Sequence, residues 1–148
     1  MKLRIARNMM VAAAALAFTW PAYGQELNVR AKVPFKFVLG DKLYPAGEYS
    51  VQAVAWDNRF TVSIRSVDPK LELKPEPALA SVQLHRASMP AKSTALIFHR
   101  LRNTYFLNQV WVADSELARE FRRSKTETRM AMDGTKAETV TVAANTAR

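Results

Sequence analysis

Residues 33–51 read VPFKFVLGDKLYPAGEYSV. Taken from Val29, the odd positions are Val29, Ala31, Val33, Phe35, Phe37 and Leu39, while the even ones include Arg30, Lys32, Pro34 and Lys36. A strand turns successive side chains to opposite faces. This period of two therefore sets the apolar series against a core and the charged series toward solvent. Pro34 has no N–H to give to a ladder, which predicts an edge or a bulge at that point. Gly40-Asp41 supplies a turn. Pro45-Ala46-Gly47 supplies a second, with Pro45 fixing φ and Gly47 expected at a positive φ.

Outward from that stretch the pattern continues. A strand is predicted over 48–56, with Tyr49, Val51, Ala53 and Ala55 on one side, and Asp57-Asn58 is a hairpin signal. Phe60, Val62 and Ile64 then alternate with polar residues, and are expected to share one core with Val33, Phe35 and Phe37. Residues 71–78 (LELKPEPA) hold two prolines and read as a connection, after which Ala80, Val82 and Leu84 mark a fourth strand. Residues 94–101 (TALIFHRL) are apolar on both faces, as a central strand requires, and Arg102-Asn103 turns them into the returning arm 105–112 (YFLNQVWV).

Ser124 and Glu127 have the spacing of a capping box, predicting a short helix over 125–132 that stops at Asp133-Gly134. Residues 135–148 are small and polar and are predicted to be a flexible tail. The fold class is all-β: a small antiparallel β-sandwich or partly open barrel of about six or seven strands, with one short C-terminal helix.

The start of the chain has another character. Lys2, Arg4 and Arg7 precede an uncharged run, MMVAAAALAF at 9–18, and Ala22-Tyr23-Gly24 follows a Trp-Pro break. That order is the one of a secretory signal peptide, and the apolar run is about half of what a spanning helix needs. Cleavage is expected after Gly24. The organisation is then a signal peptide at 1–24, a β-domain at 25–134 and a tail at 135–148, with a periplasmic or extracellular destination and no transmembrane segment in the mature chain. Losing three cations lowers the net charge from +9 to +6. Such an excess favours solubility and loose contact with anionic polymers, and an exported chain has little occasion to meet nucleic acid. The absence of cysteine removes disulfides, thiol catalysis and thiolate metal sites together.

The motifs VPFKF, PAGEY, IFHR, YFLNQVWV and ARE…RSKTE, in that order, resemble a family of small exported, uncharacterised β-proteins of soil bacteria. Its pattern is a VPFxF strand, a Leu-Pro-Ala-Gly-x-Tyr turn, a Phe-His-Arg strand, a Tyr-Phe-Leu…Val-Trp strand, and a Gly-Arg-Glu-Leu-Pro-Lys-Ser segment opening a helix. The resemblance runs from Ala31 to Met130. Tyr44 stands where the family has leucine, and Ala118 and Phe121-Arg122 replace Gly and Leu-Pro. It implies an exported β-protein and transfers no activity and no site.

The residues that carry chemistry are few. His85 and His99 lack partners at ligand spacing, so a strand histidine bonded to its neighbours is expected at His99. The serines have no Gly-x-Ser-x-Gly elbow, and Glu72, Glu76, Glu116 and Glu120 sit among cations, as solvated ion pairs do. With no phosphate-binding loop either, the expected catalytic, metal and cofactor complement is none.

Trp56, Tyr105 and Trp111 with Arg59, Arg100 and Arg102 have the composition of a surface for sugars or anionic polymers. Trp111, however, lies within an apolar arm, which favours a core role. The ligand-binding candidates are His99, Arg100, Tyr105 and Trp111. The basic run 119–125 (REFRRSK) has the charge to touch anionic lipid or wall polymer, but such a run is more often a solvated lead into a helix. The function expected is an exported non-catalytic protein, a binding or structural component of the envelope, with an anionic envelope polymer or another envelope protein as partner. The alternatives are a carrier of a small apolar ligand in a β-barrel and, next, a hydrolase.

Overall fold

The computed structural model describes residues 27–54, 57–72 and 75–147. The signal segment and the cut after Gly24 lie outside the described residues, as do Trp56 and the Arg59 side chain. Strands β1 (Asn28–Val33), β2 (Phe37–Leu39), β3 (Lys42–Tyr44), β4 (Gly47–Val54), β5 (Asp57–Ser66) and β6 (Ala78–Arg86) are followed by β7 (Ala95–Leu101), β8 (Thr104–Trp111) and β9 (Leu117–Phe121). Helix α1 (Lys125–Met132) and β10 (Glu138–Thr146) complete the order.

Eight strands close a ring in the order β8-β7-β10-β1-β4-β5-β6-β9, and β9 returns to β8 through Gln109↔Glu120 and Val110↔Arg119. Every neighbour within the ring is antiparallel. The chain is all-β with a single short helix among the described residues. It differs from the expected sandwich or partly open barrel of six or seven strands in being a closed barrel with more strands.

The extra strands have physical causes. The long alternating strand breaks at Pro34, as its missing N–H requires. Up to Val33 the chain pairs with β4, and from Phe37 it leaves that ladder to run parallel to β8. β2 and β3 then form a hairpin across Gly40, which takes φ +60°. The predicted tail is a correction: residues 138–146 are β10, paired to β7 over Glu138–Ala143 and to β1 over Ala144–Thr146. That strand buries little, so nothing in its apolar content announced it. Two open backbone edges hold it in place.

The barrel wall alternates as read. Val29, Ala31 and Val33 are buried between exposed Arg30 and Lys32, and Val51, Val62 and Ile64 join them. Phe37 stacks on Tyr44 at 5.3 Å and meets Tyr49 and Phe98 edge-on at 5.1 and 5.5 Å. An eight-stranded barrel leaves an interior just wide enough for side chains, and these rings occupy it. Such ring pairs contribute about 0.5–1.5 kcal/mol each beyond the area they bury.

Three local expectations are corrected. Phe60 is 53% exposed, because the β4–β5 register shifts between Ala53↔Val62 and Val54↔Asp57 and takes it out of the regular ladder. Asp57-Asn58 is no turn: Asp57 already faces Val54, and both residues belong to β5. Gly47 has no positive φ. A Cβ there would sit 3.1 Å from both Asp68 Oδ2 and Leu71 Cδ1, so close packing is what that position requires.

Candidate functional site

The β7–β8 hairpin carries all four candidate residues, His99 and Arg100 on β7 and Tyr105 and Trp111 on β8. Its turn puts Arg102 at φ 55°, and Asn108 is an extra residue between Ile97↔Gln109 and Phe98↔Leu107, a bulge that bends the wall. His99 shares the outer face with its cross-strand partner Phe106, and α1 packs over β7 there. His99 Nδ1 lies 3.0 Å from Glu127 Oε1, with Arg123 Nε 4.0 Å from the same oxygen.

Only half of the capping box forms. Glu127 N–H donates to Ser124 Oγ at 3.0 Å, but the Glu127 carboxylate turns away to His99 instead of back to the cap. Glu127 is thereby buried at 4% exposure, on a helix whose boundaries fall where the sequence placed them. A carboxylate on Nδ1 fixes the imidazole's tautomer, the first half of a proton relay. Among the described residues no hydrogen bond is made at Nε2, so the pair ties α1 to the wall.

Arg100 and Tyr105 face each other across β7 and β8 and meet as cation and ring at 5.7 Å. Arg100 also donates to Arg102 O at 3.1 Å and reaches Glu138 at 3.4 Å, while Tyr105 stacks on Phe35 at 3.8 Å. Trp111 lies at the other end of β8, roughly 20 Å along the strand from Tyr105. Its Nε1 donates to Gln109 Oε1, and Gln109 in turn donates to Glu120. The four candidates thus occupy three separate places. No cluster of three or more potential metal ligands is found among the described residues, and no helix there is long and apolar enough to cross a membrane.

A different concavity was not foreseen. A cleft of about 410 Å³ opens at the seam between the β2–β3 hairpin and β6. Leu39, Lys42 and Tyr44 line one side and Ala78, Ala80 and Ser81 the other, and buried Phe121 and exposed Arg122 complete the lining. Tyr44 is 2% exposed, yet its hydroxyl has no hydrogen-bond partner among the described residues, and burial raises its pKa, keeping the phenol protonated. The sequence held one signal for this place, the basic run that supplies Arg122, and it could not be located without the topology that joins residues 39–44 to 78–81. No family model, curated protein or solved structure matches the chain.

Proposed function

We propose that this is an exported, non-catalytic protein that acts by binding as a component of the cell envelope, and that it belongs with the exported β-proteins its motifs resemble. The observation that carries the binding reading is the placement of the concave surface. Aromatic rings pack on one another in the core, and the cleft opens between strands, lined by the core residues Leu39, Tyr44 and Phe121 and by the cations Lys42 and Arg122. An open cleft of this kind supports binding between strands over carriage of a fully enclosed apolar ligand. The scatter of His99, Arg100, Tyr105 and Trp111 supports a binding role over hydrolysis, which needs polar groups converging on one reacting atom.

Export rests on the charged, apolar and small-residue order of residues 2–24. Fractionation followed by N-terminal sequencing tests it. The expected mature protein begins at Gln25 in the periplasm or the medium, and an intact Met1 in the membrane fraction would overturn export. A panel of esterase, glycosidase and peptidase substrates tests the second half. Turnover that survives repurification and is lost in His99→Ala would replace binding with hydrolysis.

A further inference from the structure

We infer that the seam between β3 and β6 is a docking site for one extended peptide strand of another exported protein, apolar at alternate residues and carrying a carboxylate. This rests on the binding reading and names the partner's chemistry.

The wall of the barrel is incompletely paired here. β6 is shared between two neighbours: its first residues, Ala78–Ser81, pair with β5, and Val82–Arg86 pair with β9 on the opposite edge. β9 climbs antiparallel to β6 as far as Phe121, opposite Val82. One step further it would cover Ser81, but the chain turns outward so that Ser124 can cap α1. The edge of Ala78–Ser81 that faces away from β5 therefore has no ladder among the described residues. Across the cleft, β3 pairs only with β2, so its outer edge is unpaired as well. Two strand edges bound one cleft, and a strand of about four residues matches the roughly 13 Å run of Ala78–Ser81.

The side chains agree with an inserted strand. On the inner side, Ala78 and Ala80 are small and pack against the core, leaving room beside Tyr44 and Phe121 for an apolar side chain. On the outer side, Leu43 and Leu79 stand 61% and 71% exposed on the two lips, where the partner's alternate side chains would lie between them. The Tyr44 hydroxyl, buried without a partner, lacks the acceptor that a peptide carbonyl offers. Lone edges of this kind are usually guarded by charge, and Lys42 does so against neutral strands. Arg122 has no carboxylate partner among the described residues, and Lys42 has only Glu76, at 3.9 Å with both side chains exposed. Cations at the margin and the net charge of +6 expected of the mature chain select an acidic segment.

The test uses a synthetic peptide of alternating valine and threonine ending in aspartate, with the mature protein, followed by calorimetry and by amide hydrogen exchange. The expected result is saturable binding that slows exchange at 78–81 and 42–44. A backbone N-methylated copy should not bind, and Leu79→Lys and Arg122→Glu should each weaken binding by at least about tenfold. Both substitutions are at exposed positions, so unchanged melting certifies folding. No binding, equal binding of the N-methylated copy, or protection elsewhere would overturn the proposal. So would protection of the same amides without peptide in a dimer, since the occupant would then be a second copy. Mass analysis of the recovered peptide separates the two readings: cleavage would sink the non-catalytic reading itself, whereas failure to bind leaves that reading standing and removes only the strand site.

Discussion

Two gaps interrupt the wall that the alternating strands build, and they are resolved differently. Between β7 and β1, the chain's own C-terminal residues enter as β10 and pair on both sides. Between β3 and β6, no strand of the described chain enters, and a cleft remains. The first gap is filled by a segment that brings little apolar area, with only Val142 in the buried class. Unpaired edges are thus sufficient to order a weakly apolar strand when it is tethered close by. The second gap has equally unpaired edges and larger apolar lips, but the tether leads away into α1.

The largest effect is expected from reopening the first gap. Ending the chain after Gly134 deletes β10 and leaves one edge each of β7 and β1 unpaired, so the cooperative thermal transition seen by circular dichroism should be lost. A sharp melt in the truncated protein would mean that β10 is a dispensable strap and that the barrel closes without it. Next comes the hairpin that forms one lip of the second gap. Phe37 is 1% exposed and touches three rings, so Phe37→Ala should cost about 3–5 kcal/mol in urea unfolding. Lys36→Ala, on the exposed face, should stay within about 0.5 kcal/mol. Equal midpoints for the two would put the register wrong by one residue.

A smaller loss is expected at Gly47, where a side chain would meet Asp68 and Leu71 at 3.1 Å. Gly47→Val should cost about 1–3 kcal/mol through overpacking. Gly40→Ala meets open space at a positive φ, so its cost is conformational alone.

Tyr49 gives a pH signature of the same packed end. Burial, then the neighbouring Tyr44 and Asp68, push its phenol up from 10 to about 12, and its hydroxyl donates to Pro45 O at 2.7 Å. A folded-state pKa above the unfolded one contributes stability that is fully present below pH 10 and is lost as pH rises through 12. The melting temperature of wild type should fall across that interval more steeply than that of Tyr49→Phe. Parallel curves would show that Tyr49 ionises as readily folded as unfolded. The smallest effect belongs to the lip of the open gap: Leu79→Lys should change stability by less than about 0.5 kcal/mol while removing peptide binding. A large stability loss there would mean that Leu79 already packs against something.

The residues differ in how openly they declared these roles. Val29, Ala31, Val33 and the 125–132 helix were legible because their signals are local: a period of two, and a serine three residues before a glutamate. Phe60 was misassigned by the same rule, since periodicity assumes a regular ladder and the register shift beside Val54 breaks it. Glu127 was read correctly as a helix-start residue and incorrectly as a cap, because its carboxylate has a better partner in His99, 28 residues away. The seam cleft was invisible, since Tyr44, Ala80 and Arg122 belong to three segments with no shared motif.

Local chemistry in the sequence determined that the chain forms alternating strands, where most of them turn, where helix α1 begins and ends, and that no disulfide holds it. Those properties depend on side-chain period, glycine and proline conformation, and residue counts, all carried by neighbours along the chain. Tertiary structure alone decided that the strands close into a ring, that residues 138–146 complete it, and that β3 and β6 stand apart. Closure depends on which backbone edges meet, and every residue offers much the same N–H and C=O to that choice.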